Sequence, residues 1–187
     1  MIRFQDRATA FLLATTLLAL PACSDSSEPI PEGEGVTFTY AGTVSGSFRA
    51  VGPASDALDP SRSFAVAFRS DAGELQLCAY EASGRGTGNF LLLNAGLAAA
   101  TGNYDVPPGW APGAAGYQPG SFLLGVDASR SAIEQISPFV EGHVHLEELS
   151  ASRVRGTFAV KTLLTMVVNG QFDVTLAELA DVPILCQ

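Results

Sequence analysis

The residues best equipped for chemistry sit in one short segment, Val140-Glu-Gly-His-Val-His-Leu-Glu147. As a strand it places Glu141, His143, His145 and Glu147 on one face, and Val140, Gly142, Val144 and Leu146 on the other. His-x-His on a strand can bring two imidazoles to one metal, and a flanking carboxylate can complete a three-ligand site. His143 and His145 are, however, the chain's only 2 histidines. The same alternation describes the wet face of an amphipathic strand. The strand is accordingly expected to present a wet face, with no metal and no cofactor.

Other catalytic patterns are missing. Gly84-Arg-Gly-Thr-Gly88 lacks the following helix and the Lys-Ser/Thr of a phosphate loop, so it reads as a hairpin connection. Gly42-Thr-Val-Ser-Gly46 has the wrong spacing for a nucleophile elbow, and His145-Leu-Glu-Glu fails the zinc-protease pattern. Glu147 and Glu148 are expected on opposite faces of a strand, too far apart to share a substrate bond. The chain is therefore not expected to be an enzyme. A metal-dependent hydrolase on His143 and His145 is the third alternative. A long Pro/Gly-rich stretch, 106–120, carries Trp110 and Tyr117, with Tyr104 just before it. These three rings are a candidate contact surface for a sugar or a partner's apolar side chain.

The chain has 187 residues, 47% hydrophobic, with Gly 19 and Pro 11, enough for one domain with a real core. Val36–Ala50 alternates with period two: Val36, Phe38, Tyr40, Val44, Phe48 and Ala50 on one side, mostly Thr and Ser on the other. Gly42 and Gly46 are read as a bend or bulge dividing that stretch. Further strands are expected at 64–69, 74–81, 89–94, 103–106, 121–127, 139–149, 153–161 and 172–176. Asn169-Gly170 fits either a type I′ hairpin turn or a bulge in one long strand. Short helices are expected only at 93–100 and 129–136. This pattern predicts an all-β domain, an antiparallel β-sandwich, with a lipocalin-like β-barrel as the alternative.

The first 22 residues read as a leader: Arg3 and Arg7, then an uncharged run from Ala8 to Leu20. That run is too short for a spanning helix, which needs about 20 apolar residues, and is right for a signal-peptide core. Leu20-Pro21-Ala22-Cys23 follows and resembles the lipobox of bacterial lipoproteins. The resemblance implies cleavage after Ala22, lipidation of the Cys23 thiol and acylation of the new amino terminus. With Ser24 after the cysteine, the enteric sorting scheme further implies the outer membrane. Residues 23–35 then form the lipidated cysteine and a disordered tether, with four acids and two prolines, and 36–187 the domain. Ser152-Arg-Val-Arg-Gly-Thr-Phe158 and Asn169-Gly-Gln-Phe-Asp-Val174 resemble the β-rich domains of uncharacterised bacterial lipoproteins, a likeness that implies fold and no site.

Removing residues 1–22 takes away Arg3, Arg7 and Asp6. That leaves 8 of 10 basic and 18 of 19 acidic residues, a formal charge of −10. Such a balance argues against nucleic acid as a partner. With Cys23 lipidated, Cys78 and Cys186 are a disulfide candidate in an oxidising compartment. The expectation is thus a lipid-anchored envelope protein, held to the membrane by its N-terminal lipid. It would serve as a non-catalytic module for an envelope protein or glycan, with a carrier of a small apolar ligand as the alternative.

Overall fold

The computed structural model describes residues 35–52, 61–83, 87–106, 120–127, 135–183 and 186. The leader, Cys23 and the tether up to residue 34 lie outside them, as do Trp110 and Tyr117. Among the described residues ten strands form: β1 (Gly35–Ala41), β2 (Gly46–Val51), β3 (Phe64–Arg69), β4 (Leu75–Ala82), β5 (Thr87–Asn94), β6 (Gly102–Asp105), β7 (Ser121–Asp127), β8 (Gln135–Leu149), β9 (Arg153–Thr162) and β10 (Val167–Ala177). A 3₁₀ turn follows at Leu179–Asp181. No helix among the described residues is long and apolar enough to cross a membrane.

The alternation in 36–50 folds as a hairpin of β1 and β2 rather than one bent strand. Residues 42–45 make the turn, and Phe38 pairs with Phe48 and Val36 with Ala50. Because the turn is four residues long, the inward parity carries through it unchanged.

Seven strands close into a barrel in the order β3-β4-β5-β7-β8-β9-β10, with β10 returning to β3. This corrects the expected sandwich in favour of the barrel alternative. Two long strands cause the closure. One edge of β8 pairs with β7 at 135–138 and with β6 at 143–146, while its other edge follows β9. One edge of β10 pairs with β1 over 167–173, then with β3, in parallel, at Leu176 and Ala177. Each strand thus leaves a wide face, β2-β1-β10-β9-β8-β6, and joins a narrow one, β3-β4-β5-β7. Register shifts at Phe139/Glu141 and Leu146/Glu148 bend β8 for that crossing. Closure satisfies ladder groups that a sandwich leaves open at its edges.

Asn169 and Gly170 lie inside β10, in unbroken register with β1 and β9; this is neither a hairpin turn nor a bulge. Gly170 faces inward, where an added Cβ would lie 2.4 Å from Phe38 Cβ and 2.7 Å from Phe158 Cζ. The glycine makes room for aromatic rings. The turn before β10 is at 163–166, with Thr165 at φ 62°. The helix expected at 93–100 does not form. Leu93 and Asn94 end β5, and the next residues are held by Asn94 Oδ1, which accepts from Gly96 N–H at 2.7 Å, and by Arg69 Nη2, which donates to Ala98 O at 2.7 Å. Of the helix expected at 129–136, only Gln135 and Ile136 are described, and both are in β8.

Wide-face strands alternate and bury one side, whereas β3, β4 and β5 are buried on both, which is why they read as continuous apolar runs. Inside, Phe38 stacks on Phe48 at 4.4 Å and meets Phe122 edge-on at 5.1 Å; Phe158 and Phe172 continue the cluster. Outside the narrow face a second apolar layer joins Phe64, Val66, Phe68, Tyr80, Phe90 and Leu92 to Val182 and Cys186 of the C-terminal segment. A Cys78–Cys186 disulfide, Cα–Cα 5.8 Å, fastens that segment down.

Candidate functional site

The outer side of the wide face holds the histidine segment and is built by register alone. One row across six strands runs Asn103, His145, Thr157, Gln171, Thr37 and Arg49. The next runs Asp105, His143, Ala159, Asn169, Thr39 and Ser47. At ~4.8 Å per strand each row spans about 24 Å. Between their end residues, both rows carry no carboxylate, lysine or arginine. They are amides, hydroxyls, imidazoles and one methyl.

Ion pairs border these rows. On one side Lys161 Nζ meets Glu141 Oε1 at 3.1 Å. On the other, Arg153 grips Asp173 with two hydrogen bonds of 2.6 and 2.5 Å, and Arg155 reaches Glu147 at 3.3 Å and Glu148 at 3.8 Å. Glu147 and Glu148 were expected to diverge. The register shift between Leu146 and Glu148 instead lets one guanidinium serve both, a feature that residue alternation conceals.

His143 and His145 point outward with Glu141 and Glu147, as the alternation requires. His145 Nδ1 lies 2.8 Å from Asn103 Oδ1. An amide oxygen only accepts, so Nδ1–H is the donor of this bond. No three His, Cys, Asp or Glu side chains among the described residues converge on a position that could hold a metal. Tyr104 packs against the core, and its hydroxyl donates to Ala100 O at 2.7 Å, pinning the approach to β6. Across the 84–88 loop, Ala82 pairs with Gly88 and Ser83 N–H donates to Thr87 O, a hairpin connection.

The β2 end of the first row opens into a groove of about 410 Å³ lined by Arg49, Val51, Gly52, Arg62 and Ser63. Among the described residues, four basic side chains have partners: Arg69 on the Gly73 and Ala98 carbonyls, and Arg153, Arg155 and Lys161 on carboxylates. The guanidinium groups of Arg49 and Arg62 have none there. Two forked cations in one groove suit a carboxylate or phosphate. Ser63 Oγ accepts from Ala82 N–H at 3.0 Å, which leaves its hydroxyl proton to donate. Below the groove, Glu81 accepts from Arg49 N–H at 2.8 Å and from Asn89 Nδ2 at 3.0 Å, which caps the outer edge of β2.

The sequence signalled the histidine strand but not the row it belongs to, because register between distant strands is not written in any local pattern. Arg49 and Arg62 had no motif to mark them. The barrel interior contains an apolar void of only about 10 Å³, lined by Ala67, Leu77, Leu93, Leu146 and Phe172 among others, room for about one water. Set against protein-family models, curated proteins and solved structures, the chain matches none.

Proposed function

We propose that this chain is a lipid-anchored lipoprotein of the bacterial envelope, on the outer membrane, that works as a non-catalytic binding module for an acidic glycan. The uncharged rows of the wide face would take the sugar hydroxyls, and the Arg49–Arg62 groove a carboxylate or phosphate on the same chain. The observation that carries this reading is the pair of guanidinium groups without described partners at one end of an uncharged polar row, Asn103 to Thr37, about 19 Å long (four strand spacings), in a protein of formal charge −10 after leader removal. Amides, hydroxyls and imidazoles match the alternating donors and acceptors of a sugar. An interior void of only about 10 Å³ among the described residues supports a surface-binding role over the carrier alternative. Anchoring rests on the leader and on Leu20-Pro21-Ala22-Cys23, and Cys23→Ser should abolish the acylated species.

The test is calorimetric titration of the chain from Ser24 onward, which contains every described residue, with an oligogalacturonate and an uncharged maltooligosaccharide. The acidic sugar should bind at least ten-fold more tightly. Arg49→Ala with Arg62→Ala should erase that margin, since a hydrogen bond to a charged group is worth about 1.5–3 kcal/mol. Equal affinity for both sugars, or none for either, overturns the reading.

A further inference from the structure

Seven large apolar side chains are exposed among the described residues, and five of them, Val44, Ile136, Leu163, Leu164 and Val167, gather at one end of the barrel. Three chain segments are knitted together there. Thr43 Oγ1 in the β1–β2 turn donates to Leu164 O at 2.9 Å, and Leu163 N–H donates to Pro138 O at 2.8 Å. The segments 42–46, 136–139 and 162–168 contain no charged residue. In so acidic a protein, an uncharged aliphatic tip is a surface that water does not favour and that calls for an apolar neighbour.

We propose that this tip dips into the surface of the bilayer that carries the Cys23 anchor. The inference rests on the anchoring proposed above. Chain length decides the occupant. The strand β1 begins at Gly35 and runs toward the tip over about 20 Å. Twelve residues from Cys23 to Gly35 reach at most about 40 Å. The anchored barrel can therefore bring its tip down onto the same membrane. A short tether holds the tip at a millimolar effective concentration near the headgroups, so a contact too weak to recruit a free protein suffices. The described segments 42–46, 136–139 and 162–168 also present no carboxylate to an anionic leaflet, which the body of the protein would. Docked this way, the wide face stands upright on the membrane with its polar rows turned to solvent.

The test supplies its own anchor. Coupling the Cys23 thiol to a maleimide lipid in phosphatidylcholine–phosphatidylglycerol vesicles tethers the chain from Cys23 onward whether or not a cell acylates it. With Trp110→Phe as background, Leu164→Trp reports on the tip, and Leu97→Trp reports on an exposed leucine near the other end of β10. The inference expects brominated lipids to quench Leu164→Trp at least two-fold and to leave Leu97→Trp unquenched. Adding Leu163→Asp should remove the quenching. Absence of quenching at the tip, or equal quenching at both sites, overturns it. Mass spectrometry of Cys23 from cells judges the anchoring separately: an unmodified thiol there with a quenched tip would sink the anchor and leave the tip's affinity for lipid standing.

Discussion

Gly170 shows how one residue type can carry two opposite messages. In a sequence, Asn-Gly is a turn signal. Here the missing side chain admits Phe38 and Phe158 into the barrel, and the strand runs straight on. Gly170→Ala should therefore destabilise the fold by about 1–3 kcal/mol through overpacking; an unchanged urea midpoint would refute that packing. Tyr40 makes a second residue-scale prediction. Burial, and secondarily the nearby Glu81 carboxylate, raise its phenol pKa above the usual 10.0. The folded state then holds the Tyr40 proton longer than the unfolded state does. Its contribution to stability should be constant below pH 10 and be lost as pH rises from there through the folded value. Tyr40→Phe should flatten that alkaline decline in thermal melts between pH 9 and 11, and an unaltered slope would assign the decline to other groups.

At the scale of elements, the strands that alternate or are continuously apolar were legible in the sequence. Residues 64–69 and 121–127 are strands with the expected bounds. What could not be read was how strands share partners. The barrel closes through residues 135–138 of β8 and 176–177 of β10. The first segment overlaps a stretch read as helical. The second ends a strand whose first half was obscured by Asn169-Gly170. Two-residue and four-residue pairings are short, and hydrogen bonding by itself makes them weak seams. Amides at 135–138 and 176–177 should exchange with solvent faster than those of the β9–β10 ladder, from sub-global opening at lower free energy. Uniform protection around the barrel would contradict this. The rows of the wide face were illegible for the same reason: Thr37, Gln171, Thr157 and His145 become neighbours only once register is fixed.

The whole molecule is a barrel with a filled interior, an apolar second layer outside its narrow face and a polar outer surface on its wide one. The Cys78–Cys186 link, a disulfide candidate in the sequence, holds that second layer together. It closes a separation of 108 residues, which in the chain-entropy model contributes about 4–5 kcal/mol. Cys78→Ala with Cys186→Ala should cost roughly that much in denaturant unfolding and expose the narrow face to a hydrophobic dye. A loss under about 1 kcal/mol would mean that packing alone holds the segment. Function, on this account, is placed on the surface. The measurement that tests it most directly is an amide chemical-shift map of ¹⁵N-labelled chain from Ser24 onward, titrated with oligogalacturonate. The account predicts saturable shifts confined to the groove residues Arg49, Val51, Gly52, Arg62 and Ser63 and to the two polar rows of the wide face, lost with Arg49→Ala and Arg62→Ala. Shifts centred on the narrow face or the barrel interior, or none at millimolar sugar, would contradict it.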